Sequence, residues 1–408
     1  MPAETLAAAT DLIGELSGKS ICFAGNSHEG RGGQGEFLRL MVYALDHLAG
    51  ATIYSRSAAA RIARSVSLTP TALPFRMLYS ALSAPVIRRR KDWLTLASDL
   101  EFDCRVAAEI GRPELFDGVM GQCCRTLERL RGRGTQLVLT CLNTHIDNFV
   151  EVLENEHRAL NYRGHHSVHP WMRRRSLREI ELADWIRVNS EFAKQTFVDR
   201  GVPDSKIRVI QPGIDLNHFH PTVRKDGVFR VLAVASIDAR KGIHYLLTAF
   251  EEAKIPRSEL LLVGGTGDRW SKEMLRGFLK RNANIRQCLM DVTTVPADES
   301  YGCASVLVHP ALEDGYALVI PQALACGTPV IVTRSSGASE LIEDGRNGFV
   351  IDSRSVGQIR DRLQLLANDR SLLQTMSRNA PDSVRHLGYP DFVYRLLSFY
   401  QDVLDERN

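Results

Sequence analysis

Two adjacent cations in the second half of the chain stand directly before a helical pattern. Ser236 to Gly242 follows the apolar run VFRVLAVAS (228–236) and leads into the helical pattern YLLTAFEEA (245–253). Arg240 and Lys241 at a helix start would suit a diphosphate, which also gains from the positive end of the helix dipole. Taken alone, the motif favours a solvated basic turn.

A glycine-rich turn follows the next apolar run. Gly264-Gly265-Thr266-Gly267 comes directly after ELLLV (259–263). Open α/β sheets bind ligands outside the carboxyl ends of their strands. The turn therefore predicts a second part of a ligand site.

Two carboxylates precede a further helical pattern. Glu313-Asp314-Gly315 follows the apolar run SVLVHP (305–310), and the uncharged stretch 315–333 comes after it. The backbone N–H groups of Tyr316, Ala317 and Leu318 could face a phosphate, and a carboxylate beside them could hold sugar hydroxyls. The alternative is that Glu313 or Asp314 only caps the helix.

The first half contains Gly30-Arg31-Gly32-Gly33-Gln34-Gly35, a formal G-x-G-x-x-G match. A dinucleotide site requires the first glycine directly after the strand and an acidic residue about 20 positions further along the chain. Here residues 26–29 intervene, and Arg56 stands where an acid is expected, which leaves an NADP site open. The other readings are a flexible turn and a phosphate or sugar loop at a helix N-terminus, and the second half favours the phosphate or sugar loop.

Short apolar runs alternate with helical patterns throughout, which indicates parallel strands buried on both faces. The predicted strands are 20–25, 51–55, 136–142, 185–190, 206–213, 228–236, 259–265, 305–310, 328–333 and 348–352. The rhythm restarts after the polar join at 221–227, so two Rossmann-like units are expected. The stretch 315–333 reads as a buried helix followed by a buried strand, not as a membrane span.

Composition narrows the class of protein. The 408 residues carry 51 basic and 48 acidic side chains, a net charge of +3 that argues against a dedicated nucleic-acid binder. The eight cysteines form no C-x-x-C pair and lie mostly in apolar runs, which is typical of reduced, buried thiols. The first 18 residues lack the pattern of a signal peptide, and a cytoplasmic protein is expected.

The ordered blocks of the second half resemble the retaining nucleotide-sugar glycosyltransferases of family 4, which have the GT-B fold. The blocks are PGIDLNHFHP (212–221), RKGIHYLLTAF (240–250), LLLVGGTGD (260–268), EDGYALVIPQALACGTPVIVT (313–333) and SGASELIEDGRNGFVID (336–352). Upstream, 143–157 and 179–203 resemble the end of that family's first domain, whereas 57–135 shows no match. The resemblance implies an α/β fold of two Rossmann-like domains facing a cleft. They are an acceptor-side domain over 1–220 and a donor-binding domain over 221–385, followed by a helix over 386–408 that packs back on the N-terminal domain.

The resemblance also implies residue roles. Lys241, with Arg240 beside it, is implied to contact the donor diphosphate. Asp314 takes the first position of the family's E-x7-E pattern at the donor sugar, with Glu313 as the fallback, and Gln322 takes the second position at the ribose. His145 is similar to the histidine that faces sugar and acceptor. The implied catalytic group is His145, Asp314, Glu313 and Lys241. The implied donor-binding residues are Gly32, Gly33, Ser236, Arg240, Lys241, Gly264, Gly265, Gly315, Tyr316, Ala317, Leu318 and Gln322.

Two departures from the family pattern bear on activity. Gln322 stands where many members have Glu, and Ser236 stands where many have Arg. An amide still binds ribose hydroxyls but carries no charge. Three functions therefore stay open: sugar transfer, NADP-dependent oxidoreduction through the Gly30–Gly35 loop, and a degenerate module that binds a sugar nucleotide or glycan without turnover.

The resemblance implies a UDP- or GDP-sugar as donor and no permanently bound cofactor. No Asp-x-Asp pair occurs in the chain, and GT-A transferases use that pair to hold a metal. Cations at a helix start would take over its task, so no metal is expected to be required. The reaction would transfer the sugar to an acceptor hydroxyl with retention of anomeric configuration, in glycan, polysaccharide or glycolipid biosynthesis. A glycan, a lipid-linked sugar or a small molecule could be the acceptor.

The positive charge is concentrated in one stretch. No acidic residue lies between Asp46 and Asp92, and eight cations lie there: Arg56, Arg61, Arg64, Arg76, Arg88, Arg89, Arg90 and Lys91. Apolar and aromatic residues are interleaved, and Trp171-Met172-Arg173-Arg174-Arg175 forms a second basic cluster. A solvated helical face is the alternative, but the pattern also suits an anionic acceptor or an anionic membrane surface at the inner face of the membrane. Arg88, Arg89, Arg90 and Lys91 are therefore predicted on the acceptor or membrane side.

Overall fold

The fold is described from a computed structural model, over residues 3–56, 65–67, 91–162, 168–221, 227–289 and 300–406. Arg88, Arg89 and Arg90 of the predicted basic surface lie outside the described residues. Lys91 is the first residue of a helix, and the position of its side chain is not described.

The first half forms a seven-stranded parallel sheet in the order β3-β2-β1-β4-β5-β6-β7. Its strands are β1 (Ile21–Ala24), β2 (Ala51–Ser55), β3 (Ser65–Ser67), β4 (Leu115–Val119), β5 (Gln136–Cys141), β6 (Trp185–Val188) and β7 (Ile207–Val209). Its helices are α1 (Ala3–Leu16), α2 (Gly32–Leu45), α3 (Lys91–Glu109), α4 (Cys124–Leu130), α5 (Ile146–Ala159), α6 (Pro170–Leu182) and α7 (Glu191–Val198), with a 3₁₀ turn at Asp204–Lys206.

The second half forms a six-stranded parallel sheet in the order β10-β9-β8-β11-β12-β13. Its strands are β8 (Phe229–Val234), β9 (Ser258–Val263), β10 (Ile285–Cys288), β11 (Val306–His309), β12 (Val330–Thr333) and β13 (Gly348–Ile351). Its helices are α8 (Ile243–Ala253), α9 (Arg269–Arg281), α10 (Val319–Ala325), α11 (Val356–Asn368) and α12 (Arg370–Asn379), with 3₁₀ segments at Gly337–Leu341 and Ala380–Leu387. The final helix, α13, spans Tyr389–Asp405.

The predicted α/β architecture with two parallel sheets is confirmed. Each predicted strand coincides with an observed one, and the uncharged stretch 315–333 is a buried helix followed by a buried strand, as expected. The sequence prediction was wrong to leave out three strands: β3, β4 and β10. The first and last of these are short edge strands, and β4 has a buried Asp117 inside its apolar run. None of the described helices is long and apolar enough to cross a membrane.

Each sheet is covered on both faces by apolar side chains. Helix α13 belongs to the core of the first half, because Phe392, Leu396 and Tyr400 pack with side chains of α1, α2 and β1. Tyr400 also donates a hydrogen bond to the buried Asp117 carboxylate over 2.7 Å, and Asp117 pairs with Arg187 at 3.0 Å. The chain thus returns to its first half after completing the second. The domain limits at 220 and 385 stay a prediction.

Strand order determines where the two sheets can bind ligands. In the first sheet the chain starts at β1, moves outward to β3 and then returns to the other side of β1 with β4; β8 and β11 repeat this reversal in the second sheet. At such reversals the loops leave in opposite directions and open a crevice at the carboxyl ends of the strands. The candidate site lies at these loops.

Candidate functional site

A cavity of about 530 Å³ lies between the two halves and is lined by loops that follow strands of both sheets. Leu142 and Asn143 follow β5, Asn189 follows β6, and Ser236 follows β8. The structure brings most of the predicted donor residues to this cavity: Gly32, Gly33, Ser236, Arg240, Lys241, Gly264, Gly265, Asp314, Tyr316, Ala317, Leu318 and Gln322. The volume is in the range of pockets that bind nucleotide-sized ligands.

The two cations are held in place by the start of helix α8. Gly242 adopts φ +64° directly before the helix, and a Cβ there would collide with the carbonyl oxygen of Pro310, so this turn requires glycine. Asp238 accepts a hydrogen bond from the Lys241 backbone N–H at 3.0 Å and another from the Ser236 hydroxyl at 2.6 Å. The turn therefore presents the Lys241 side chain to the cavity from a rigid base.

Asp314 lies between Lys241 and His309. Its carboxylate forms an ion pair with Lys241 Nζ and lies 3.0 Å from His309 Nε2. Burial opposes ionisation of Asp314, but Lys241 and then His309 overcome it, and the pKa of Asp314 lies well below its usual range. Burial lowers the pKa of His309, although Asp314 acts in the opposite direction. A neutral His309 therefore donates to an ionised Asp314, which in turn holds the ammonium group of Lys241.

Glu313, the predicted fallback for Asp314, is not among the cavity-lining residues. Its carboxylate accepts hydrogen bonds from the backbone N–H of Thr144 at 3.1 Å and from the Thr144 hydroxyl at 2.8 Å, and it pairs with Arg240 at 3.0 Å. Arg240 also lies over the ring of Phe149, 5.2 Å from its centroid. Glu313 thus links the two halves and orients Arg240. Gly315 is also outside the lining, since it packs against the backbone at Leu142.

The residues before helix α10 present their backbone to the cavity. Among the described groups, none accepts a hydrogen bond from the backbone N–H of Tyr316, Ala317 or Leu318. Ala317 has φ +67°, a left-handed conformation that costs an L-residue free energy. The three residues line the cavity, and their unpaired N–H donors are available there to an anion.

Gln322 lines the cavity with a fixed amide orientation. Its Oε1 accepts a hydrogen bond from the buried Tyr301 hydroxyl at 2.9 Å. The two N–H donors of the amide then stay available to a ligand. A carboxylate at this position would offer acceptors only, so the Gln322 amide favours a ligand oxygen that accepts.

His145 is buried and is not among the lining residues of the cavity. Its Nδ1 accepts a hydrogen bond from the Asp147 backbone N–H at 3.2 Å and so caps helix α5. Burial lowers the pKa of His145. The ring is therefore neutral, and because Nδ1 accepts, its proton sits on Nε2.

The loop between β1 and α2 does not have the geometry of a dinucleotide turn. Seven residues separate Ala24 from the helix start at Gly32, whereas a dinucleotide site needs an immediate turn. Arg56 is buried, pairs with Glu101 at 2.7 Å and donates to Asn26 over 2.5 Å. This guanidinium is occupied within the first domain and is not presented to a 2′-phosphate.

Several lining residues were not predicted from the sequence: His309, Asn143, Asn189, Gln34 and Glu36. His309 had a signal, because it is the last residue of strand β11 and precedes the two carboxylates. The asparagines also stand at strand ends, within the blocks 143–157 and 179–203, but only the three-dimensional arrangement brings the loops after β5 and β6 opposite the second sheet. Among the described residues, no three His, Cys, Asp or Glu side chains come together as a metal site.

Two family models match adjacent parts of the chain. The model "Glycosyltransferase Family 4" matches residues 122–218, and "Glycosyl transferases group 1" matches residues 217–383. The D-inositol 3-phosphate glycosyltransferase of Corynebacterium jeikeium is 26% identical over 245 residues, which are 55% of this chain and 58% of the relative. That of Pseudarthrobacter chlorophenolicus is 27% identical over 256 residues, 58% of this chain and 60% of the relative. The chain thus spans about 60% of the length of these curated relatives.

Solved structures share the fold over nearly the whole chain. Sucrose-phosphate synthase from Thermosynechococcus elongatus has a TM-score of 0.72 at 20% identity, covering 95% of this chain and 99% of the other. HepE of Anabaena in complex with UDP-glucose has a TM-score of 0.66 at 15% identity, covering 94% and 99%. The fold, the two family models and the curated relatives agree: the chain belongs to the family 4 type of glycosyltransferases with the GT-B fold.

Proposed function

We propose that this protein transfers a sugar from a nucleoside-diphosphate sugar, UDP- or GDP-linked, to an acceptor hydroxyl with retention of anomeric configuration. The single observation that carries the proposal is the cavity between the halves, where Arg240, Lys241 and the free N–H groups of residues 316–318 meet Asp314. Cations and oriented N–H donors suit a diphosphate, and the carboxylate suits sugar hydroxyls. The biosynthesis of a glycan, polysaccharide or glycolipid is the proposed setting.

The ion pair of Lys241 with Asp314 gives donor binding a defined first step. A donor diphosphate would compete with Asp314 for the Lys241 ammonium group. Asp314 would then turn its carboxylate to the hydroxyls of the donor sugar, while His309 keeps it ionised and in position. Donor binding would thus move Lys241 from one ion pair to another, while hydrogen bonds from His309 and the sugar hydroxyls take its place at the Asp314 carboxylate.

The chemical step needs stabilisation of the departing diphosphate. As the bond from the anomeric carbon to the phosphate oxygen breaks, negative charge develops on the diphosphate. Arg240, Lys241 and the backbone N–H groups of 316–318 are preorganised to stabilise this charge without reorganising. Gly32 and Gly33 would allow the first-half loop close to the phosphates, and Gly264 and Gly265 would border the nucleotide. Gln322 would donate to the ribose oxygens.

These cations are also the basis for proposing that transfer needs no metal. In this arrangement Arg240 and Lys241 take the place of a divalent ion at the diphosphate. Addition of EDTA is expected to leave the transfer rate unchanged, and a rate restored only by Mg²⁺ or Mn²⁺ would contradict this.

His145 is proposed to orient an acceptor or donor hydroxyl through its Nε2 proton. The cap contact of Nδ1 fixes the tautomer that this task requires. The role needs a movement or a ligand that reaches His145, because it lies beside the described cavity lining and not in it.

The test is a transfer assay with UDP- and GDP-sugars against a panel of acceptors. D-inositol 3-phosphate belongs in the panel, since the curated relatives carry its name, and UDP-glucose because HepE was solved with it. One donor should be consumed, and proton NMR should show that the product has the same anomeric configuration as the donor. Lys241→Ala should abolish transfer, while Arg269→Ala, at an exposed arginine of helix α9, should not.

Three results would contradict the proposal in different ways. Binding of a sugar nucleotide without turnover on any acceptor would favour a degenerate binding module. Stabilisation by NADPH alone would favour an oxidoreductase. An inverted product would keep the transferase and reject retention.

Contact with an anionic membrane at the cytoplasmic face is a further proposal about the first half. The acid-free stretch 47–91 supports it by sequence, and the exposed rings of Trp93 and Trp171 both lie against His169. Aromatic and cationic side chains together favour an interfacial position. The protein is expected to float with phosphatidylglycerol vesicles but not with phosphatidylcholine vesicles. Flotation with neither kind of vesicle would reject membrane contact.

A further inference from the structure

A second cavity, of about 350 Å³, lies beside helix α9 and strand β10, and its lining shares no residue with that of the cleft. Three cations of the helix line it: Lys272, Arg276 and Lys280. Thr266 and Gln287 add polar groups, and none of the described lining residues is acidic. The volume is sufficient for a small organic ligand.

The cations of helix α9 divide into two groups. Arg269 pairs with Glu273 at 2.6 Å, and Arg281 pairs with Glu251 at 2.6 Å. Neither of them lines the second cavity. Lys272, Arg276 and Lys280 line it, and none of the three has an ion pair or hydrogen bond with a described group. The unpaired cations of this helix are therefore the ones that face the cavity.

The spacing of the three cations is unfavourable for the helix itself. They follow one another at four-residue intervals, so each stands about 6 Å along the axis from the next. Like charges at this spacing repel and destabilise a helix. Lys272 also lies in the N-terminal part of the helix, where the dipole disfavours a cation. An anion in the cavity would offset both effects.

The second cavity is connected to the cleft by one turn. Gly264 and Gly265 line the cleft, and Thr266, the next residue, lines the second cavity. Gln287 donates its side-chain N–H to the Gly264 carbonyl over 2.8 Å. Ile237, beside the cationic turn, donates its N–H to the Gly265 carbonyl over 2.9 Å. A ligand that contacts Thr266 and Gln287 would therefore restrain the turn that borders the cleft.

We propose that this cavity binds a small molecule with two or more phosphate groups, and that its binding stiffens the Gly264–Gly267 turn. A chain of linked phosphates can contact neighbouring cations of the row at once, whereas a single phosphate reaches one or two. The binding part stands without the proposed transferase activity. An effect of the stiffened turn on donor binding, at Gly264 and Gly265 in the cleft, rests on that activity.

The test uses inorganic triphosphate as the probe and calorimetry at 150 mM salt. The Lys241→Ala protein is the background, since it weakens competing diphosphate binding in the cleft. We expect one triphosphate to bind per chain. Adding Arg276→Gln to this background should weaken triphosphate binding at least tenfold, whereas adding Arg269→Gln instead should change it little. Inorganic phosphate should bind more weakly than triphosphate. Hydrogen exchange of the Gly264–Gly267 amides should slow with triphosphate, and should not slow in the Arg276→Gln protein.

Two outcomes would overturn the proposal. No binding in the Lys241→Ala background would place triphosphate in the cleft alone. An equal effect of Arg276→Gln and Arg269→Gln would mean a diffuse response to surface charge. If the unsubstituted protein transfers no sugar but binds triphosphate as expected, only the transferase function is rejected and the second site stands.

Discussion

Replacing Glu156 by Gln should loosen the junction between the two halves. Glu156 lies on helix α5 of the first half and is fully buried. Its carboxylate accepts hydrogen bonds from His244 at 3.0 Å, from the Tyr245 hydroxyl at 2.7 Å and from Arg354 at 2.7 Å, all in the second half. His244 and Tyr245 are in the first turn of the helix that follows Lys241. Glu156 therefore braces the element that carries the cations.

The magnitude follows from the pKa of Glu156. Burial alone would raise this pKa, but the hydrogen bonds from His244, Tyr245 and Arg354 lower it from 4.5 to about 2. At 1.36 kcal/mol per pH unit this lowering corresponds to about 3 kcal/mol that favours the charged folded state. Because the folded pKa is depressed, the stabilisation is complete above pH 4.5 and disappears as the pH falls towards 2.

Thermal unfolding of Glu156→Gln as a function of pH measures this. At pH 7 the melting temperature should fall by about 6 °C, taking about 2 °C per kcal/mol for a domain of this size. The difference in melting temperature between Glu156→Gln and the unsubstituted protein should shrink as the pH drops from 4.5 towards 2. Glu151→Gln is the matched control, because Glu151 is on the same helix but 59% exposed in its ion pair with Arg200, and should cost less than about 0.5 kcal/mol. The reasoning would be refuted if Glu156→Gln lowered the melting temperature no more than Glu151→Gln does, or if its effect did not depend on pH.

Three further changes test separate parts of the structure. Ala317→Gly should relieve the left-handed backbone at φ +67° and raise stability by up to about 1 kcal/mol in thermal unfolding, and a loss of stability would contradict the strain. Tyr400→Phe removes the 2.7 Å hydrogen bond to Asp117 and should cost about 1–3 kcal/mol, and a cost below 0.5 kcal/mol, about the level of a surface substitution, would show that α13 does not depend on it. His145→Asn keeps a helix cap but removes the Nε2 proton, so transfer should slow about 10- to 100-fold while stability and donor affinity hold. In the unsubstituted protein, transfer should also fall as the pH drops through the lowered pKa of His145, and an unchanged rate in His145→Asn would remove its role.

The sequence predicted most strands because they are continuous apolar runs. It predicted the donor residues from the turns after those runs together with the resemblance to family 4. Strand β4 was not predicted because Asp117 interrupts its apolar run. That charge is tolerated in the core only because Arg187, Thr140 and Tyr400 surround it, and these come from distant parts of the chain. Strand β10, Ile-Arg-Gln-Cys, is an edge strand whose polar residues carry no strand signal.

The roles of Glu313 and Asp314 could not be separated by spacing. The two carboxylates are adjacent, and only the packing of the two halves decides that Glu313 meets Thr144 while Asp314 meets Lys241. His309 as a partner of Asp314 and Tyr301 as a partner of Gln322 likewise depend on tertiary contacts. The contacts of single residues thus needed the structure, whereas the position of the site at the strand ends did not.

The most direct test of the central claim is the affinity of UDP and of GDP, measured by calorimetry for the unsubstituted protein, Lys241→Ala and Arg269→Ala. A charge-assisted hydrogen bond contributes about 1.5–3 kcal/mol, so Lys241→Ala should weaken binding of the preferred nucleotide about 10- to 150-fold. Arg269→Ala should leave its affinity within twofold. Equal affinity in all three proteins, or no binding of either nucleotide, would contradict a diphosphate site at Lys241.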